Sequence, residues 1–137
     1  MTRIVAFLRF GRFHSVVRKY GMKWFGKKQP TVAAAHHAVI VHFSLSDDQH
    51  GTAEEREAIF GLEDRLEEII DSQGLGELDG NEFGGGEAVI YCYGPDAGRL
   101  FAGIEQEVRA FPRRPAFAYL RYGDVSDAGA REERVDL

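Results

Sequence analysis

A break in charge near Pro30 decides which part of this chain can fold as a unit. Residues 1–30 carry eight basic residues, Arg3, Arg9, Arg12, Arg18, Lys19, Lys23, Lys27 and Lys28, and no acid. Every lysine lies there. Residues 31–137 carry nine arginines against all 22 acids, so formal charges of +8 and −13 combine into the net −5. The chain reads as a basic aromatic extension over residues 1–30 and an acidic domain over residues 36–137. A body of about 100 residues can bury a core without staples. At 44% apolar and 28% charged residues, the composition is that of a globular chain and not of a disordered one.

Cys92 is the sole cysteine, so no intrachain disulfide can form. It sits in the apolar run Val89, Ile90, Tyr91, Cys92, Tyr93 and reads as a small buried hydrophobe. A reducing, cytoplasmic setting is the expectation. No stretch approaches the roughly 20 apolar residues that span a bilayer. Ahead of the small residues Ala33–Ala35 the chain is basic and polar, which argues against a secretory signal.

In the extension, Phe7, Phe10, Phe13, Val16, Val17, Tyr20 and Trp24 recur at three- and four-residue spacing. On a helix they form one stripe, with the basic residues mostly elsewhere around it. Gly11, Gly21 and Gly26 each weaken such a helix by up to about 1 kcal/mol relative to Ala. Four readings stand open: an extension dispensable to the domain, with Met22 as a second start; a helix docked on the domain's own acidic face; contact with an anionic membrane surface; and a grip on nucleic acid. Low serine content argues against a transit peptide.

In the domain, alternation predicts a first strand over His37–Leu45. Thr52 caps a helix, and Glu55 three residues on completes a capping box. Ile59, Leu62, Leu66, Ile69 and Ile70 form its apolar stripe. Glu54, Glu55, Glu57, Glu63, Asp64, Glu67, Glu68 and Asp71 make the rest strongly acidic, and Gly74 stops it. A hairpin follows, with strands over Leu75–Phe83 and Ala88–Tyr93 joined at Gly84-Gly85-Gly86. Asp79-Gly80 is either an alternative turn or a bulge. Asp96 caps a second helix with Leu100, Phe101, Ile104, Val108 and Phe111 on its buried side, and Pro112 ends it. Pro115–Tyr122 is a fourth strand, and Arg134–Leu137 is a possible edge strand after it.

The order β-α-β-β-α-β is the ferredoxin-like signature. It predicts an α+β fold with a four-stranded antiparallel sheet and both helices on one face. The opposite face is then open, with Ile40, His42, Tyr91, Tyr93, Tyr119 and Arg121 on it. The stretch Gly76-Glu77-Leu78-Asp79-Gly80-Asn81-Glu82-Phe83-Gly84-Gly85-Gly86-Glu87, then Tyr91-Cys92-Tyr93-Gly94-Pro95-Asp96-Ala97 and Leu120-Arg121-Tyr122-Gly123, resembles a small bacterial ferredoxin-like family. The resemblance covers residues 36–137. It implies the fold and carries over no activity, cofactor or catalytic residue.

Candidate binding residues fall into two groups. Asp79, Asn81, Glu82 and Glu87 flank the glycine-rich turn, where carboxylates could take a cation or a basic partner. A solvated turn is the plainer reading, and the spacing matches no calcium loop. His42, Tyr91, Tyr93, Tyr119 and Arg121 belong to the open face. Asp47, Asp48 and His50, with His36 and His37 nearby, lack zinc spacing. The glycines lead into a strand and not a helix, which argues against a phosphate cradle. No catalytic residue, metal site or cofactor is assigned, since no nucleophile–base pair can be drawn.

A charge of −13 on the domain repels nucleic acid and favours a basic protein partner. The expected function is therefore a small non-enzymatic binding protein: a regulator, inhibitor or immunity-type protein. Homodimerisation through the open face is a further possibility. The alternative is a small enzyme or ligand-binding domain with its site on that face, around His42, Tyr91 and Arg121.

Overall fold

The computed structural model describes residues 36–137. The readings placed on residues 1–30 lie outside the described residues. Seven elements follow one another: β1 (His37–Ser44), α1 (Ala53–Gln73), β2 (Glu77–Gly84), β3 (Glu87–Gly94), α2 (Ala97–Ala110), β4 (Ala116–Tyr122) and β5 (Arg131–Asp136). The fold is α+β, with one antiparallel sheet in the order β2-β3-β1-β4-β5.

Local chemistry sets the helix ends. Thr52 accepts from the Glu55 backbone N–H, and the Glu55 side chain accepts from the Thr52 N–H, so the capping box closes in both directions. At the other end Gly74 sits in the left-handed region at φ 63°. Its N–H reaches the carbonyls of Asp71 and Ile70, and Leu75 N–H reaches Ile70 O at 3.0 Å. This wrap is a Schellman-type stop, with Leu75 folding back into the core. Leu75 thus belongs to the helix exit, and β2 begins two residues later than the sequence suggests. In α2, Asp96 accepts from Arg99 N–H, and the His37 ring nitrogen Nδ1 accepts from Ala97 N–H at 3.0 Å. The second helix is therefore tied to the start of the central strand.

The hairpin turns at Gly85-Gly86, both at positive φ (60° and 83°), as a two-residue turn matched to strand twist requires. A side chain at Gly86 would also meet Asp47 O at 3.0 Å. Asp79 lies at a bulge between Leu78 and Gly80, which settles the choice between turn and bulge.

Both helices pack on one face. Val39, Val41, Phe43, Ile90, Cys92, Ala118 and Leu120 from the sheet meet Ile59, Leu62, Leu66, Ile70, Leu100, Ile104 and Val108, all with little or no exposure. Cys92 is buried, and burial followed by the charges of Glu63 and Asp79 pushes its thiol well above the ordinary range.

Two expectations are corrected. The sheet has five strands, not four: Arg131–Asp136 pairs with β4 in full register, Tyr122 opposite Arg131 and Phe117 opposite Asp136. Charged residues suit an exposed edge strand, because they discourage further pairing. Second, Glu63 and Glu67 are not part of the solvated acidic surface of α1. They are 1% and 9% exposed and are among the buried residues of α1. The Asn81 amide donates to Glu63 Oε2, which supplies a polar partner for a buried carboxylate.

Candidate functional site

The strand registers arrange the face away from the helices in three rows. His42 stands between Val89 and Phe117. Ile40 stands between Tyr91 and Tyr119. Ala38 stands between Tyr93 and Arg121. All six residues that alternation assigned to this face are on it. Phe117 belongs there too, in the same phase as Tyr119 and Arg121. The sequence reading passed over it.

His42 is held by a carboxylate and by two aromatic rings. Its Nδ1 lies 3.1 Å from Glu87 Oε1, and its ring stacks on Phe117 with centroids 4.4 Å apart and planes 11° apart. Tyr119 meets the imidazole edge-on at 6.2 Å. On the far side of Phe117, the Arg134 guanidinium lies 3.7 Å from the ring centroid and pairs with Asp136 at 2.9 Å. A carboxylate, an imidazole, a phenyl ring and a guanidinium thus follow one another across β3, β1, β4 and β5. The carboxylate accepts, so the His42 Nδ1 is the donor of the pair. Cys92 is buried on the opposite side of the sheet and lies away from this pair.

The Tyr91 hydroxyl donates to Glu82 Oε1 at 2.9 Å. Arg121 pairs with Glu132 at 2.7 Å and donates to the carbonyls of Asp124 and Asp127. It faces Ala38, four residues from His42. That is about 13 Å along the strand at ~3.3 Å per residue. His42, Tyr91 and Arg121 share a face but do not converge on one point.

The group Asp79, Asn81, Glu82 and Glu87 is divided by the sheet. Glu82 and Glu87 stand on the face with His42. Asn81 points to the helix side, where it meets Glu63. Asp79 is at the bulge. Pleating separates neighbours along a strand, so the cluster read from sequence is not one site. Among the described residues, no group of three or more His, Cys, Asp or Glu is arranged to hold a metal ion. Among the same residues no helix is long and apolar enough to cross a membrane.

The apolar part of the face has a buried centre. Ala38, Ile40 and Tyr91 are 6%, 8% and 4% exposed, with Val89 and Tyr93 packed against them. Tyr119 is more open, at 38%. Electrostatics are one-sided. Strands β1, β2 and β3 contain Glu77, Asp79, Glu82 and Glu87 and neither Lys nor Arg. The arginines of the sheet are confined to β4 and β5. Comparison with protein-family models, curated proteins and solved structures gives no match.

Proposed function

We propose that this is a small non-enzymatic binding protein, of the regulator, inhibitor or immunity type, that engages a basic protein partner through the β1–β2–β3 half of the sheet. The observation that carries this reading is the pairing of partly exposed Val89 and Tyr93, packed around buried Ile40 and Tyr91, with carboxylates on strands that hold no Lys or Arg. Aromatic side chains at the middle of a patch supply most of the contact energy. Surrounding charges of one sign speed encounter and select the partner. In this reading the fold is ferredoxin-like βαββαβ with β5 added at one edge. The strand order and the wholly antiparallel pairing support that assignment.

Affinity capture from source lysate with salt elution tests the binding reading. A basic protein retained at low salt, released as salt rises, and lost with Glu82→Lys/Glu87→Lys is the expected result. Retention that ignores both salt and the double substitution would contradict it. The ligand-binding alternative draws on the His42–Glu87 pair. A small molecule that raises Tm for the parent chain but not for His42→Ala would favour that alternative.

A further inference from the structure

The two carboxylates that the binding reading sets against a partner differ in what donates to them. Glu82 accepts from the Tyr91 hydroxyl at 2.9 Å, a neutral donor. Glu87 lies 3.1 Å from the His42 Nδ1, a donor whose charge can change. Histidine side chains as a class gain a proton between about pH 8 and pH 5, an interval in which ordinary carboxylates stay largely ionised. The charge that Glu87 shows to a partner therefore depends on the ring beside it.

The ring is held so that both of its charge states fit. In the neutral form Nδ1–H donates to Glu87 Oε1. In the charged form the same bond becomes charge-assisted. Phe117 lies nearly parallel to the imidazole, with centroids 4.4 Å apart and planes 11° apart, and a phenyl face attracts a cation laid over it. A proton can thus come and go without moving the strands. The His42 side chain is 20% exposed and that of Glu87 42%, so solvent reaches the first and a partner reaches the second. The other charged or titratable groups around the ring come from three strands. Tyr119 on β4 meets it edge-on at 6.2 Å. Arg134 on β5 stands past Phe117 and carries its own partner, Asp136. Glu82 on β2 lies beyond Val89.

We propose that His42 and Glu87 form a pH-dependent charge gate on the binding face, which rests on the reading above that Glu82 and Glu87 attract a basic protein. With the ring neutral the pair is singly negative and draws the partner. With the ring protonated the pair is neutral, and the face loses one attractive charge beside Val89. A basic protein is therefore held more tightly at the upper end of the histidine interval than at its lower end. The coupling is reciprocal: a bound cationic partner favours the neutral ring, so binding within this interval expels protons.

Two stable nitroxides of like size, one cationic and one anionic, read the local potential on the full chain without any partner. The line broadening that each causes at protons of Ser44 and Val89 is compared at about pH 7.5 and about pH 5.5. On acidification the preference for the cation should fall about two- to fivefold at low salt, the effect of one charge lost at roughly 4 to 8 Å in water. His42→Gln keeps an N–H donor for Glu87 and cannot gain a proton, so it should retain most of the preference at both pH values. Glu87→Gln, on an exposed side chain, should lower the preference at both. A preference that ignores pH in the parent chain would overturn the gate. So would an equal fall in His42→Gln, or a preference untouched by Glu87→Gln. Lysate capture separates the gate from the reading beneath it. If no basic protein is retained at the higher pH, both fail. If a basic protein is lost with Glu82→Lys/Glu87→Lys but held equally at both pH values, the gate alone fails.

Discussion

The two faces of the sheet are built from adjacent residues of the same strands, yet they solve different problems. On the helix side, Val39, Val41, Phe43, Ile90 and Ala118 are fully buried against side chains from two helices, and the face is almost wholly apolar. On the other side, residues one position along carry a His–Glu pair, three tyrosines and a phenylalanine between imidazole and guanidinium. One face supplies stability through area removed from water. The other combines a small buried centre with polar groups held in place by one another. Alternation places the polar face and the core one residue apart, so one face can vary without changing the other.

Substitutions can break this contrast. Phe43 is fully buried and meets Phe111 edge-on at 4.8 Å, so Phe43→Ala should cost about 3–5 kcal/mol. Phe117→Ala, on the half-exposed face, should cost clearly less and leave the fold intact. Urea midpoints of the two variants decide the matter, and equal losses would erase the distinction between the faces. A middle-sized effect is expected where a polar contact enters the helix side. Asn81→Ala removes the amide that donates to buried Glu63 and should cost about 1–3 kcal/mol in the same assay. A neutral outcome would show that this contact does not hold α1 to β2. Thr52→Ala, which opens the capping box and touches neither face, should cost about 1 kcal/mol.

The smallest effect is expected with pH. Hydrogen bonds from the Thr52 backbone, and then those from Ser46, with Arg113 alongside, hold the Glu55 carboxyl below its ordinary value of 4.5. A carboxyl lowered on folding stabilises the fold above its unfolded value. That contribution is lost as pH falls through the lower folded value. Glu55→Gln should therefore flatten the acid limb of a Tm-against-pH curve below about pH 4.5 and leave the neutral region parallel to the parent. An unchanged acid limb would show that Glu55 is not the group responsible.

What was legible in the sequence was local. Thr52 and Glu55, Gly74, Asp96 and Gly85-Gly86 each act on backbone within a few residues, so their roles could be read without knowing the fold. Strand phase was legible too, and it put His42, Tyr91, Tyr93, Tyr119 and Arg121 on one face. What was hidden depends on partners distant in sequence. Arg131–Asp136 looks like a charged tail until β4 supplies its hydrogen bonds. Glu63 looks solvated until Asn81, eighteen residues on, arrives across the α1–β2 packing. The stack of His42 on Phe117 depends on a β1–β4 register joining residues 75 positions apart. Asp79, Asn81, Glu82 and Glu87 looked like a cluster because they are close in sequence, and the pleat sent them to different sides.

The most direct test of the account is an NMR titration of the full chain with the basic protein retained in the lysate capture. Shifts should concentrate on Glu82, Glu87, Val89 and Tyr93 and be lost with Glu82→Lys/Glu87→Lys. Shifts confined to α1, or unaffected by the double substitution, would contradict the proposal that the β1–β2–β3 face is the binding surface.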